Sequence, residues 1–370
     1  MNIDNHLELR RKVAQLFIIR CSGYTFNSQR KYPEWEFSNK EIKSLIELGI
    51  GGVIFYGGST CELNNRTRTF SQWADKPLLF CADAEEGMGQ RFNGATHLMP
   101  PMTLGKMYAS NPIRAIYLAE LYGKCTAQEA RKCGLNWILA PVCDVNTNPL
   151  NPVINLRAWG EDPDTTKELA SAFHRGLVSF KVLSCAKHFP GHGDTGVDSH
   201  FKMPIIRHDM KRLEEIELLP FRALIAEGVS SIMVGHLLID SIDSVYPATL
   251  SPSVIGTLLR EKLGFSGIIV TDALIMNSIS EKYGGSEAAV LAFEAGVDLL
   301  LMPENPLEAI DSISNAIISG RIGIDRLEES LIRRSEMLRL VDSNFHYDLQ
   351  KGNMYECKEL IEDNNKILFH

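Results

Sequence analysis

The densest chemistry in the 370-residue chain lies in one segment, Lys187 to His200, which reads KHFPGHGDTGVDSH. It holds His188, His192 and His200 with Asp194 and Asp198, spaced by Gly191, Gly193 and Gly196, which permit a tight or mobile loop. Asp198 and His200 are one residue apart, so in an extended loop both side chains lie on one side. A carboxylate beside an imidazole fixes its tautomer and raises its basicity, as a general acid/base near neutral pH requires. The same pair serves equally well to tie down a glycine-rich loop, and spacing alone does not choose between the two.

Two further groups carry chemistry. In GIIVTDAL, Asp272 follows four apolar residues and Thr271. A carboxylate at such a strand end can attack an anomeric carbon and form a glycosyl–enzyme; it can also simply cap the next helix. In ADAEEGMGQRF, Asp83 ends an apolar run and Arg91 follows eight residues on. A carboxylate and a guanidinium together can hold the hydroxyls of a pyranose, or they can brace a loop. Arg157 in VINLRAWGEDPD and the adjacent Lys187–His188 add donors for a hydroxyl-rich or carboxylate-bearing ligand.

The elements that position these residues are short apolar runs, each followed by a polar loop and then a helical pattern. Strands are predicted at Val13–Arg20, Gly52–Tyr56, Pro77–Asp83, Asn136–Asp144, Val182–His188, Ser231–His236, Gly267–Asp272 and Val297–Met302. Most lack polar/apolar alternation, as strands covered on both faces do. Amphipathic helices are predicted at Asn39–Leu48, Ala115–Cys133, Asp164–Phe180, Arg212–Glu227 and Ser286–Ala295, several ending at a glycine (Gly134, Gly228, Gly296). Eight such units indicate an α/β chain folded as a (β/α)8 TIM barrel. An open doubly wound sheet is disfavoured, because no G-x-G-x-x-G opens a helix. Chemistry in a barrel gathers at the C-terminal strand ends, where Asp83, Asp144, Lys187, His188, His236 and Asp272 all fall. The barrel is complete by about Pro303, and helical patterns follow at Pro306–Ser319 and Asp325–Leu340. One catalytic domain over residues 1–340 is expected, with a short C-terminal helical extension and a tail over 341–370.

Composition narrows the class. A net charge of −8 and a pI near 5.7 argue against a polyanion-binding surface, so no nucleic-acid partner is expected. No signal-peptide pattern opens the chain and no apolar stretch reaches the roughly 18 to 20 residues of a membrane span. The eight cysteines are scattered without a CxxC pair and several sit in apolar runs, which suits reduced core thiols in a cytoplasmic protein. No metal or other cofactor is called for, and a monomer is expected because nothing reads as a coiled coil.

Taken together, these residues resemble glycoside hydrolase family 3, in its β-N-acetylglucosaminidase (NagZ-type) branch. That branch carries KH(F/I)PGHG, a short spacer and D(S/T)H, which stand complete here as Lys187 through His200. ADAEEGMGQRF, NWILAPVCDVN, the Arg157 segment, SSIMVGHLL and GIIVTDAL follow the family order, so the resemblance spans roughly residues 10 to 305. By position, the resemblance implies Asp272 as nucleophile, His200 as general acid/base tuned by Asp198, and Asp83, Arg91, Arg157, Lys187 and His188 as sugar-binding residues. It implies a retaining mechanism on terminal β-linked GlcNAc, with cell-wall (muropeptide) fragments as substrate in a bacterial cytosol. A neutral imidazole repels an incoming anion less than a carboxylate does, so a GlcNAc phosphorylase is one alternative.

A family-3 β-glucosidase is a second alternative, disfavoured by the Asp198–His200 pair. A metal-dependent hydrolase using His188, His192, Asp194 and His200, or a non-catalytic glycan-binding barrel, fits the remaining residues less well. Two positions depart from the family pattern. Glu86 stands where glycine is common, with strain expected if its φ is positive, and Asn155-Leu156 replaces a frequent Gly-Asp pair and leaves the orientation of Arg157 open. The second, smaller domain of some members is not expected.

Overall fold

The computed structural model of the protein describes residues 3–196 and 203–341. Eight strands form one parallel sheet: β1 (Phe17–Ser22), β2 (Gly52–Tyr56), β3 (Leu79–Ala82), β4 (Trp137–Ile138), β5 (Leu183–Phe189), β6 (Ser231–Val234), β7 (Ile268–Thr271) and β8 (Leu300–Leu301). The spatial order is β8-β1-β2-β3-β4-β5-β6-β7, every pair parallel. A bridge between Val270 and Leu299, with the Thr271 amide donating to Leu299 O at 3.1 Å, closes β7 onto β8. The result is the expected barrel, ringed by helices.

The side-chain period of two divides each strand between two cores. Ile18, Ile54, Leu79, Cys81, Trp137, Leu183, Cys185, Met233, Ile268, Val270 and Leu301 fill the barrel interior. The Trp137 indole N–H is satisfied there by Ser231 Oγ at 3.0 Å. Their neighbours, among them Phe17, Ile19, Val53, Phe55, Phe80, Ile138, Ile232 and Ile269, pack outward against the helices. The helices start where the sequence offers caps. Ser38 with Glu41 and Ser59 with Glu62 form capping boxes, while Asn111, Asp162 and Asn305 each cap a helix that begins with proline.

The last described helix, Ile324–Arg339, seals the N-terminal end of the barrel. Met337 and Val341 join the interior core, and Arg334 Nη2 donates to the Gly51 and Pro77 carbonyls, both at 2.8 Å. Among the described residues no helix is long and apolar enough to cross a membrane. Cys21, Cys81, Cys133, Cys143 and Cys185 are buried free thiols.

Several element boundaries differ from the sequence expectation: Val297–Met302, for one, is a strand only at Leu300–Leu301, and three further differences have a local cause. Val13 and Ala14 end a helix, Ile3–Ala14, rather than open β1, because Leu9 and Val13 share the buried face of an amphipathic turn. The run Asn136–Asp144 pairs as a strand only at Trp137–Ile138; Pro141, which has no N–H, follows shortly after. The predicted helix Arg212–Glu227 is interrupted by a π-helical turn at Leu213–Glu217 and restarts at Leu219–Ala226, next to Pro220.

Candidate active site

Counting two residues onward from the last interior apolar residue of five strands gives Arg20 after Ile18, Tyr56 after Ile54, Asp83 after Cys81, Lys187 after Cys185 and Asp272 after Val270. Strand alternation therefore delivers these five side chains to the mouth at the C-terminal end of the barrel.

On the β3–β5 side they build a charged wall. Lys187 Nζ lies 2.7 Å from Asp83 Oδ1 and 2.5 Å from Glu85 Oε1. Glu85 in turn receives Arg157 through both Nε (2.7 Å) and Nη2 (2.8 Å), a bidentate pair, while Arg157 Nη1 donates to Val153 O. The second oxygen of Asp83 accepts from the Tyr56 hydroxyl at 3.1 Å, and Arg91 Nε donates to the Asp83 carbonyl at 3.0 Å. Burial alone would raise the Glu85 carboxyl, but Arg157 and Lys187 outweigh it and hold the group well below the usual range. Burial of Asp83 is likewise outweighed by Lys187 and Arg91. The wall is thus ionised and rigid, with Lys187 almost wholly buried.

Next to it, Asp144 is fully buried and accepts from His188 Nδ1 at 2.7 Å and from the His192 amide at 2.6 Å. This bond commits Nδ1 of His188, leaving Nε2 for other partners. Burial penalises the Asp144 charge, yet His188 and His192 keep the carboxyl below its ordinary value.

Asp272 is half-buried at the end of β7, and one of its oxygens accepts the Ala273 amide at 2.7 Å. Burial opposes its charge, but His188, His236, the Ala273 amide and Lys187 together bring its pKa down to about 2. Asp272 does not cap a helix: the next one, Asn277–Tyr283, starts five residues on. His236 is buried beside it, with Nδ1 at 2.8 Å from Thr249 Oγ1 and Nε2 at 3.0 Å from Ala273 O.

The glycine-rich segment enters over this floor. A Cβ at Gly193 would meet Val145 O at 1.8 Å, so close backbone approach requires glycine there. His192 and Asp194 belong to the loop's own framework: His192 Nδ1 lies 2.5 Å from Thr195 Oγ1, and Asp194 bonds Thr147 and His208. Burial lowers the His192 pKa to about 4, so its ring is neutral at neutral pH. Asp198 and His200 lie outside the described residues. Among the described residues no group of three His, Cys, Asp or Glu side chains is placed to hold a metal ion.

The structure therefore gathers Asp83, Arg91, Arg157, Lys187, His188 and Asp272 at one mouth. It adds Glu85, Tyr56 and Arg20, which the sequence reading did not place there, and gives partners to Asp144 and His236, which that reading noted only as polar strand ends. Both departures from the family pattern are accommodated. Glu86 is not among the residues with positive φ; Gly87, next to it, takes φ +75°. Asn155 adopts φ +41°, a region that asparagine tolerates better than most residues, and Arg157 is fixed by Glu85.

The fold and this polar mouth define a barrel enzyme acting at the C-terminal ends of its strands. Residues 8–336 match the glycosyl hydrolase family 3 N-terminal domain. The chain is 36% identical over 300 residues to a beta-hexosaminidase of Stenotrophomonas maltophilia (strain K279a), covering 78% of this chain and 88% of that protein. It is 33% identical over 330 residues to beta-hexosaminidase A of Pseudoalteromonas piscicida, covering 80% of this chain but only 54% of that protein, so it spans about half the length of that relative. Among solved structures, a glycoside hydrolase family 3 beta-N-acetylglucosaminidase from Paenibacillus sp. str. FPU-7 superposes with a TM-score of 0.85 at 34% identity, covering 97% of this chain and 68% of that one. The chain belongs to glycosyl hydrolase family 3.

Proposed function

We propose that the chain is a retaining β-N-acetylglucosaminidase that removes terminal β-linked GlcNAc, with Asp272 as nucleophile. The observation that carries this reading is the ionised, half-buried Asp272 at the barrel mouth together with the Lys187–Asp83–Glu85–Arg157 wall. A carboxylate with a pKa near 2 is anionic throughout the working range of a hydrolase, as a nucleophile must be. The names of the relatives, beta-hexosaminidase and beta-N-acetylglucosaminidase, support the sugar.

In the first step an Asp272 oxygen bonds the anomeric carbon as the glycosidic C–O bond breaks. The leaving oxygen takes the proton of His200, which Asp198 orients. In the second step neutral His200 takes a proton from water, whose oxygen bonds the anomeric carbon and releases Asp272. Asp83, Lys187, Arg157, Arg91 and His188 hold the sugar hydroxyls, with Glu85 and Asp144 fixing the cations and the imidazole from behind. No cofactor takes part in these steps. The substrate we favour is a cell-wall saccharide fragment met in the cytoplasm by a monomeric enzyme, with no membrane or nucleic-acid partner.

Chromogenic β-GlcNAc and β-glucose glycosides, assayed with and without phosphate, test the reading. Faster GlcNAc turnover with free GlcNAc as product is expected. Equal or better glucose turnover would point to a β-glucosidase, and accumulation of GlcNAc-1-phosphate to a phosphorylase.

A further inference from the structure

Beyond the charged wall, on the β1–β2 side of the mouth, lies a cation whose one ion pair among the described residues, to Glu36, is long. Arg20 is mostly buried, yet among the described residues no hydrogen bond reaches its guanidinium. Its nearest carboxylate, Glu36, stands 4.0 Å away. Rings hold it instead. Its Cζ sits 4.3 Å from the Tyr56 centroid, 5.2 Å from Tyr32 and 5.6 Å from Trp35. Tyr32 and Trp35 stack on each other at 5.6 Å and remain 36% and 46% exposed. A guanidinium fixed through its faces keeps its N–H edges for a partner, and a mostly buried donor left unbonded is costly unless a ligand completes it.

The cage is continuous with the sugar wall, because the Tyr56 hydroxyl that donates to Asp83 belongs to the ring beneath Arg20. Charge selects the class of ligand. Glu36 already lies beside Arg20 and Asp83 beside Tyr56, so a further anion is disfavoured. Neutral hydroxyl oxygens, presented by a ring whose C–H face can lie on Tyr32 and Trp35, suit both halves of the cage. We infer that Arg20, Tyr32 and Trp35 form a specificity subsite that grips hydroxyls of the terminal sugar beside those held by Asp83. The position follows from the order of the site. Asp272 ends β7 and Asp83 ends β3 on the opposite side of the barrel; β1 stands two strands from each, so Arg20 flanks the line between them and joins the Asp83 side through Tyr56. The inference rests on the proposed orientation of the sugar, with C1 over Asp272.

The test reads binding apart from turnover. Titrating the full chain with GlcNAc, and separately with glucose, is expected to change its tryptophan fluorescence saturably, and Trp35→Phe to remove that change. Arg20→Ala shifts the midpoint about tenfold upward and Arg20→Lys recovers part of it. On a chromogenic β-GlcNAc glycoside, Arg20→Ala raises KM about tenfold and leaves kcat within about twofold, the split expected of a contact made equally in ground and transition states. A purely structural Arg20 would lower the melting temperature and the active fraction without that split. Identical titrations for wild type and Trp35→Phe, or an unmoved midpoint in Arg20→Ala, would overturn the inference. Trp35-dependent sugar binding without hydrolysis would retain the subsite and sink the proposed activity alone.

Discussion

The two ends of the barrel bury carboxylates in much the same way, yet only one of them is built to react. At the N-terminal end Asp298 is fully buried. It accepts from Arg260 Nη2 (2.5 Å), the Ile269 amide (2.9 Å), Ser330 Oγ (2.7 Å) and Arg333 Nη1 (3.0 Å), with Arg326 at 3.5 Å. The last described helix supplies three of those partners and closes the end. At the C-terminal end Asp83, Glu85 and Asp144 are also well bonded, but among the described residues Asp272 accepts one short hydrogen bond, from the Ala273 amide, and the Arg20 guanidinium donates none. A dense ion-pair network is thus no mark of function by itself. Unpartnered nitrogens occur at both ends, on Arg326 and Arg334 as well as Arg20, so the mark is a half-buried carboxylate with one short hydrogen bond where the C-terminal strand ends converge, Asp272.

Substitutions at the two ends separate these roles, beginning with the largest effect. Asp272→Asn removes the proposed nucleophile and is expected to lower kcat on the order of 10⁴-fold or more with an unchanged melting temperature; steady-state kinetics beside a thermal melt would expose any residual activity close to wild type. Asp298→Ala should do the reverse. Leaving Arg260, Arg326 and Arg333 without their carboxylate costs about 3–5 kcal/mol of stability, while the protein that still folds keeps its kcat. A large kcat loss in folded Asp298→Ala would break the contrast between the two ends.

Glu85→Gln sharpens it from within the mouth. Lys187 and Arg157 lose a shared charge, and kcat/KM is expected to fall about 100-fold, or ~2.7 kcal/mol. Equal kinetics for wild type and variant would reduce the wall to scaffolding. Asp144→Asn frees the His188 tautomer, with about a tenfold loss in kcat/KM expected and an altered pH profile.

The smallest effect is pH-linked. His192 has its folded pKa lowered from 6.5 to about 4 by burial. Between those values the unfolded chain binds the proton and the folded chain does not, so stability falls as pH drops from 6.5 towards 4. Urea midpoints across that window should decline, and His192→Asn should flatten the decline; an unchanged slope would contradict the burial argument. Asp272 has the same sense of linkage in a lower pH window. Its stabilising charge is present above the ordinary carboxyl value of 3.8 and is lost only as pH falls through about 2, so it adds nothing to that slope.

Much of the scaffold was legible in the sequence where local physics decides. β2 and the helix Asn39–Leu48 fall on their expected residues, the first as an apolar run after Gly51–Gly52, the second behind the Ser38–Glu41 capping box. β4 shrank to two residues although its apolar run looked longer. Glu85 stood two positions from Asp83, but what makes it matter is Arg157, 72 residues away, and local spacing cannot show such a pairing. Asp144 was visible as a polar strand end, while its partner His188 lies 44 residues on. Arg20 and Tyr56 had a usable signal, the period-two continuation of Ile18 and Ile54 into the mouth. Placing the start of β1 four residues early, inside a helix, obscured it for Arg20.

The most direct measurement on the central claim is covalent trapping with a fluorinated GlcNAc donor followed by peptide mapping. The label should sit on Asp272, which would fix nucleophile, sugar and retention in one experiment. A label on Asp83, Glu85 or any other carboxylate, or turnover without a trapped intermediate, would contradict the proposed mechanism.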